Sequence, residues 1–556
     1  RCPGEKLIEQ ALNLKQPTVY DTVDKQQVFN KNETLTARAK QDLIKEAFKG
    51  WIFDEPQRRR HLQELYNKKF NCHRLRTYNG DYLQLPGMST AIQLNKHQKD
   101  AVARIILSGK NTLLDHVVGS GKTFCVTAAC MELRRLGIVN KNLIVVPNHL
   151  TEEWGKEFLR LYPTAKILVC TKKDFQKINR KRLIARIATN DWDAVIISHS
   201  MFGKIPVSKP IMEQYINEGI RQVEESLRQL QSTYRYNRRV KDLERKRKKL
   251  QAKLEETYNA ASKDNVVFFE ELGVDQLFVD EADEFKNLGC ETKLNRIAGI
   301  SENTSQKALD MFLKTRYINR MRGEKGVVFA TGTPIANSMV ELYTMQRYLQ
   351  YERLERAGLL AFDSWASTFG EVVSAMEIAP DGSGYRIKQR FCKFFNLPEL
   401  ITMYRDIADV RTKEMLNLPC PELETGKPID ESTEPTIQLK DYISELVDRS
   451  EEIRGHRVSP KDDNMLLVTN DGRKAALDYR ITCPSAPDSP LYKVNVATDN
   501  IYDIWGKTKS NKSVQLVFCD LSTPGSQSFC IYDELKAKLM KKGIPEHRGT
   551  KNNTVC

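Results

Sequence analysis

The sequence lacks the features that would place the chain in a membrane or in an oxidising compartment. Its 556 residues contain no signal peptide and no apolar run long enough to cross a bilayer. The 12 cysteines form no C-x-x-C pair, and several lie within apolar runs. Such cysteines are typical of reduced, packed thiols, which argues against a zinc site or a disulfide framework. We therefore predict a cytoplasmic protein without membrane contact.

The sequence also has fewer acidic residues than basic ones. The chain has 87 Lys and Arg against 72 Asp and Glu, which gives a net charge of +15. This balance fits a polyanionic partner such as nucleic acid, but ordinary solubility would account for it as well. The length allows several domains. Because the first residue is Arg1 and not methionine, we expect a piece of a longer chain.

The sequence is organised around residues 111–123, NTLLDHVVGSGKT. A short apolar strand precedes the loop Gly119-Ser120-Gly121-Lys122-Thr123, and a helical run follows it. This order predicts a phosphate-binding loop, because glycines allow backbone N–H groups to turn toward phosphates. Lys122 would bind the outer phosphates and Thr123 would hold Mg²⁺. The match departs from the strict motif at His116, where a glycine or another small residue is expected.

Short apolar runs alternate with helical ones after this loop, which is typical of a parallel sheet covered on both faces. The runs lie at 143–147, 166–170, 194–198, 277–280 and 326–331. In such sheets the ligand-binding groups collect at the carboxyl ends of the strands. We therefore predict an α/β fold in which the functional residues directly follow these strands.

An acidic motif and a threonine-rich motif follow two of these runs. Hydrolysis of a nucleoside triphosphate needs one carboxylate to hold Mg²⁺ and a second one to orient water. Asp280 suits the metal and Glu281 the water, since both stand at the end of the run LFV. The second motif is Thr331-Gly332-Thr333-Pro334. A strand-ending turn would explain that motif on its own, but its place after the other two favours a shared site.

Four further segments predict structure without catalytic chemistry. Heptad spacing over roughly 210–262 predicts an antiparallel helical hairpin, whose basic second arm fits either a nucleic-acid contact or a solvated face. The basic stretch with Tyr66 and Phe70 predicts a helix with a solvated face, whose aromatic side chains point inward. The alternative is that this stretch binds nucleic acid. Residues 335–430 read as mostly helical. After a linker rich in proline and acid, we predict a strand at 515–519.

The runs GSGKT, VVPNHLTEEW, IISHS, VDEAD and FATGTPIAN, in this order, resemble the first lobe of superfamily 2 helicases, and most of all the Swi/Snf-type branch. From about Gln16 onward the chain is similar to the helicase part of large bacterial proteins of conjugative elements and phages. A DNA adenine methyltransferase domain often precedes the helicase in those proteins. Its N-P-P-[YF] signature does not occur here. The resemblance implies a bacterial or phage-encoded protein.

The resemblance implies two RecA-like lobes, with ATP between them and DNA across their top. On this basis we assign four regions. They are an N-terminal helical and linker region (1–90), a first RecA-like lobe with the hairpin insertion (91–345), a helical connector and linker (346–430), and a partial second RecA-like lobe (431–556). We expect the second lobe to be incomplete, because the family's arginine for the γ-phosphate lies beyond the point where this sequence ends.

The resemblance also implies roles for particular residues. Gln98 stands where helicases place a glutamine that recognises adenine through its amide. Asn148 and His149 would lie near the DNA backbone, and Thr331 to Pro334 would couple hydrolysis to movement. The implied activity is that of an ATP- and Mg²⁺-dependent DNA helicase or translocase. The alternative is a remnant that binds nucleotide or DNA without efficient turnover.

Overall fold

The structure is a computed structural model. It describes residues 2–12, 16–23, 26–68, 75–219, 268–290, 297–300, 304–378, 385–417, 426–455, 457–459, 462–511, 513–522 and 529–545, with the single positions 248, 252, 292, 294 and 423. The chain divides into two compact units, Arg1–Met376 with Ile387–Pro419, and Glu377–Arg386 with Cys420–Cys556. Most of the hairpin predicted at 210–262 lies outside the described residues. Within the part of the chain that is described, no helix has the length and apolar character needed to cross a bilayer.

The N-terminal part of the first unit is mainly helical. It comprises α1 (Gly4–Leu12), β1 (Tyr20–Val23), β2 (Gln26–Phe29), α2 (Lys31–Asp54) and α3 (Pro56–Tyr66). The sequence predicts that the basic helix, here α3, turns its aromatic residues inward. This prediction is wrong at Tyr66, which is 38% exposed, and α3 buries none of its residues. Phe70 lies outside the described residues.

A seven-stranded parallel sheet forms the core of the first unit. Its strands are β3 (Thr112–His116), β4 (Asn142–Val146), β5 (Ile167–Val169), β6 (Ala194–Ser198), β7 (Gln276–Asp280), β8 (Val327–Thr331) and β11 (Ala408–Arg411). The strands β9 (Gly370–Ile378) and β10 (Tyr385–Phe394) form a separate two-stranded sheet. The order is β11-β3-β8-β7-β4-β6-β5, and every neighbouring pair is parallel. The predicted α/β fold with a parallel sheet is therefore confirmed.

The central strands are mainly apolar, as expected of a sheet whose two faces are both covered by helices. Alternate residues of a strand point to opposite faces, so in β4 Leu143 and Val145 enter one hydrophobic cluster while Ile144 and Val146 enter the other. The helices of the second face are α4 (Lys96–Leu107), α5 (Lys122–Arg135) and α6 (Thr151–Leu161). Those of the first are α7 (Lys177–Thr189), α8 (His199–Phe202), Gln306–Arg322 and Val340–Leu349.

The segment 335–430 differs from its predicted, mostly helical character at the strands β9, β10 and β11. It does contain the helices Val340–Leu349, Tyr351–Arg356, Phe362–Phe369, Leu397–Ile407 and Lys413–Leu416. However, β11 is an edge strand of the large sheet and pairs in parallel with β3, with Ala408 opposite Leu113. Its four residues include Asp409 and Arg411, so it has no apolar run by which the sequence could reveal it.

The second unit is built mainly from helices. They span Ile437–Arg454, Met465–Leu477, Lys493–Thr508 and Ile531–Lys541. The strand predicted at 515–519 is wrong. These residues have no regular structure, and Leu516 and Phe518 are 77% and 86% exposed. A strand needs a partner for its backbone hydrogen bonds, and none is present among the described residues of 426–545. The second RecA-like lobe stays a prediction.

Candidate nucleotide site

The predicted phosphate loop joins β3 to α5, as its sequence order requires. Gly119 and Gly121 have φ angles of +83° and +81°, a left-handed conformation that strains any residue with a Cβ. A Cβ on Gly121 would also lie 2.2 Å from the Gln98 side-chain nitrogen. The 14-residue helix α5 begins at Lys122. Its first N–H groups have no partners within the helix, which makes this terminus suited to an anion.

Lys122 lies at the mouth of this loop, 9% exposed, and its ammonium donates a hydrogen bond to the His116 carbonyl oxygen at 3.1 Å. Its positive charge also acts on Asp280 and Glu281 at the end of β7. Thr123 follows in the first turn of α5 and is half-buried. The structure therefore brings the lysine, the hydroxyl and the acidic pair to one edge of the sheet.

Helix α4 supports the loop from outside. His97 donates from Nε2 to the Ser120 carbonyl at 2.9 Å, and Gln98 donates to the carbonyls of Ser120 and Gly121 at 3.2 and 3.4 Å. The Gln98 amide oxygen accepts the Asn95 backbone N–H at 2.8 Å. Both ends of the amide are thus bonded within the protein, and the side chain is 4% exposed. The support of the loop is an observed role for Gln98, whereas adenine recognition stays a prediction.

The unexpected His116 is turned toward the edge strand β11. Its Nε2 donates to the Asp409 carboxylate at 2.7 Å, and the Arg411 carbonyl accepts the Val117 N–H at 3.0 Å. Burial raises the pKa of Asp409, but the hydrogen bond and charge of His116, with Arg411 and Arg104, outweigh it and lower that pKa. The start of the loop is therefore anchored by a strand that lies almost 300 residues further along the chain. The anchoring residue, Asp409, was not among the residues that the sequence analysis selected.

The acidic motif begins at Asp280, which is 8% exposed at the end of β7. Trp154 donates from its indole nitrogen to Asp280 Oδ2 at 3.0 Å, and His199 donates to the Asp280 carbonyl oxygen at 2.9 Å. Burial raises the pKa of Asp280, while the Trp154 hydrogen bond and the charge of Lys122 lower it in part. The sequence pointed to Asp280, and the runs VVPNHLTEEW and IISHS contain Trp154 and His199, but the contacts of these two residues with Asp280 were not predicted.

Glu281 occupies a strained position directly after the strand. Its φ angle is +48°, in the left-handed region that residues with a Cβ rarely adopt and that clusters at functional sites. Burial raises the pKa of Glu281, and the neighbouring charge of Asp280 adds to that shift. A carboxylate with a raised pKa accepts a proton more readily, which suits a group that orients or activates water.

The threonine-rich motif touches both other motifs. Thr331 donates from its hydroxyl to the Asp283 carboxylate at 2.9 Å and accepts the Thr333 N–H at 3.0 Å. A Cβ at Gly332 would contact the phosphate loop, so this glycine allows the close approach. Pro334 is half-buried in the same turn. The three predicted motifs therefore form one contiguous site.

Asn148 and His149 lie at the same carboxyl edge and are exposed. Asn148 accepts the backbone N–H of Ser200 at 3.1 Å. Both residues line a cavity of about 980 Å³ that Glu281 also lines. The cavity wall carries basic side chains as well: Lys204, Lys209 and Lys307. The same wall carries the carboxylates of Asp283, Glu284 and Asp310, and Lys307 is paired with Glu284.

Comparisons with known proteins agree with these motifs. A protein-family model described as "Probable helicase domain" matches residues 105–412, and one described as "Domain of unknown function (DUF8437)" matches residues 1–72. The helicase match contains every predicted site residue except Gln98. "Defense against restriction protein B" of Escherichia phage P1 is 23% identical over 440 residues, which cover 70% of this chain and 19% of that protein. The chain thus spans about a fifth of its curated relative.

Two solved structures from Sulfolobus solfataricus are also similar. The SWI2/SNF2 ATPase core in complex with dsDNA is 13% identical with a TM-score of 0.33, over 76% of this chain and 66% of that one. The SWI2/SNF2 ATPase core domain is 13% identical with a TM-score of 0.31, over 78% and 68% of the two chains. Both TM-scores are low, so neither structure supports a conclusion about this chain.

Proposed function

The chain belongs to the family described as a probable helicase domain, and from this we propose that it is a Mg²⁺-dependent ATPase that translocates on DNA or separates its strands. The observation that carries the proposal is the junction of the three motifs. The Lys122 loop, the Asp280–Glu281 pair and Thr331 lie at the carboxyl ends of the neighbouring strands β3, β7 and β8, and the Thr331 hydroxyl is bonded to Asp283.

The residues at the junction fit a nucleotide with its metal ion. Lys122 and the N-terminus of α5 would bind the phosphates. Thr123 and Asp280 would hold Mg²⁺, since hydroxyl and carboxylate oxygens are ligands that this ion accepts. The raised pKa of Asp280 reflects a carboxylate whose charge is poorly compensated within the protein, which a cation would relieve. When bound, the ion neutralises charge on the phosphates.

The remaining residues would carry out the proton and motor steps. Glu281 would orient the attacking water and take up its proton. Thr331 would transmit changes in the acidic motif during hydrolysis to the turn that ends at Pro334. Its hydroxyl donates a hydrogen bond to Asp283 and accepts one from the Thr333 N–H in that turn. Asn148 and His149, with the basic side chains of the adjoining cavity, would contact the DNA backbone. The net charge of +15 favours that partner.

The test is steady-state ATP hydrolysis by the 556-residue chain with and without duplex DNA. We expect DNA-stimulated turnover that Lys122→Ala abolishes. Lys141→Ala is a matched control, because Lys141 also donates to backbone carbonyls, of Ala188 at 2.8 Å and Leu272 at 3.1 Å, but lies away from the loop. Nucleotide binding without turnover in the parent would instead favour a remnant that only binds.

A further inference from the structure

Trp154 is linked to the acidic motif although the sequence places it 126 residues away. It lies in α6 and is 3% exposed. Its ring belongs to the hydrophobic cluster that contains Phe158 and Leu161 of the same helix. Because interiors are close-packed, the indole has little freedom to turn. Its N–H is therefore aimed from a fixed position at Asp280 Oδ2, 3.0 Å away.

This contact restrains the carboxylate in a way that the rest of the motif does not. The hydrogen bond from His199 holds the Asp280 main chain through its carbonyl oxygen. The hydrogen bond from Trp154 holds the side chain, at one of its two oxygens. With that oxygen engaged, rotation of the carboxylate relative to β7 is restrained. Partners of this kind orient the side chains that bind metals, and they also raise the cost of any rearrangement.

We propose that Trp154 is a positioning residue for Mg²⁺ binding, which acts by fixing the orientation of the Asp280 carboxylate. The inference rests on the proposed function, since it assumes that Asp280 holds the ion. It adds a residue from α6, which follows β4, to the residues at the ends of β3, β7 and β8 that would bind the nucleotide and its ion. The simpler reading is that Trp154 only fills the core and that its hydrogen bond merely satisfies a buried indole.

A second tryptophan separates the two readings. Trp365 is fully buried in the same unit and donates its indole hydrogen bond to the Gln346 side chain at 2.8 Å, within a different hydrophobic cluster. Trp154→Phe and Trp365→Phe therefore remove the same kind of buried hydrogen bond and a similar volume. Only the first change would affect a metal ligand.

The experiment measures binding of a fluorescent ADP to the full chain as Mg²⁺ is titrated, and again in the presence of a chelator. For Trp154→Phe we expect the half-saturating Mg²⁺ concentration to rise about 10- to 100-fold. We expect the metal-free affinity for ADP to stay near that of the parent. Trp365→Phe should leave both quantities unchanged. If Trp154→Phe does not fold, site-specific benzothienylalanine at position 154 keeps the ring shape and removes only the N–H donor.

The outcomes distinguish this inference from the proposed function. A parent that binds ADP with no dependence on Mg²⁺ would overturn both. A parent that requires Mg²⁺, together with a Trp154→Phe or benzothienylalanine variant of unchanged Mg²⁺ dependence, would overturn the role of Trp154 alone. An equal shift for Trp154→Phe and Trp365→Phe would also overturn it, since a loss of core packing would then explain the effect.

Discussion

At the scale of single residues, the two carboxylates of the acidic motif differ in their surroundings. Asp280 ends a strand and receives hydrogen bonds at its side chain and its main chain. Glu281 is less buried and has a left-handed backbone. Burial raises the pKa of both, and the charge of Asp280 raises that of Glu281 further. This division suits a fixed ligand beside a carboxylate that exchanges a proton.

From this difference we predict that Glu281→Gln retains nucleotide binding and loses turnover by a factor of at least about 10². The amide keeps the shape of the carboxylate but cannot accept a proton. Turnover of the parent should fall as the pH drops through the raised pKa of Glu281, because the protonated carboxyl no longer acts as a base. Measurement requires nucleotide binding and a pH–rate profile of the parent and the variant.

Glu284→Gln is the control for this prediction. It removes a carboxylate of the same segment, which forms an exposed ion pair with Lys307, and turnover should be close to that of the parent. Equal hydrolysis by the parent and Glu281→Gln would show that another group orients the water.

At the scale of secondary-structure elements, the sequence predicted strands wherever a strand is a continuous apolar run. β4, β6, β7 and β8 bury all their residues, and each coincides with a predicted run. β11 is short and polar, and it gave no such signal. The predicted strand at 515–519 shows the opposite error, because an apolar run forms a strand only where a partner strand is available.

The candidate site follows the same logic. Lys122, Asp280, Glu281 and Thr331 could be found because each belongs to a short motif with a fixed spacing. Trp154 and His199 lie in the quoted runs VVPNHLTEEW and IISHS, but their contacts with Asp280 could not be predicted, and Asp409 lies in no motif, because these roles depend on contacts between segments that are far apart in sequence. A motif identifies its own residues, but it does not identify the residue of another segment that each side chain will contact.

The link between β11 and the phosphate loop leads to a prediction at the same scale. Asp409→Ala leaves the fully buried His116 side chain without its acceptor, which should cost about 1–3 kcal/mol in the free energy of unfolding. The loop should also bind nucleotide more weakly, since His116 starts the loop and its carbonyl holds Lys122. Chemical denaturation and ADP binding measure the two effects.

A double-mutant cycle with His116→Ala isolates this contact. If the two side chains stabilise the fold mainly through each other, the double variant should lose clearly less than the sum of the single losses, with a coupling of about 0.5–3 kcal/mol. Strict additivity of the two losses would mean that β11 and the loop are held together by backbone pairing alone.

At the scale of the whole molecule, the proposed DNA partner needs a place on the protein surface. The net charge of +15 says only that a polyanion is attracted. The carboxyl edge of the sheet adds a defined place, where Asn148 and His149 are exposed and Lys204 lines the adjoining cavity. Loops at this edge of a parallel sheet are where such proteins bind their ligands, so DNA and nucleotide would share one edge.

We therefore predict that binding to duplex DNA weakens steeply with salt, and that one exposed lysine at this edge accounts for part of the slope. If Lys204 contacts a phosphate, Lys204→Ala should reduce the slope of log K against log salt by about 0.9, because one fewer counterion is released. Lys166→Ala is the matched control, since Lys166 is also exposed but precedes β5 at the amino edge of the sheet. Its removal lowers the overall charge equally and should leave the slope nearly unchanged. Equal changes for the two lysines would mean that diffuse charge, and not the carboxyl edge, determines DNA binding.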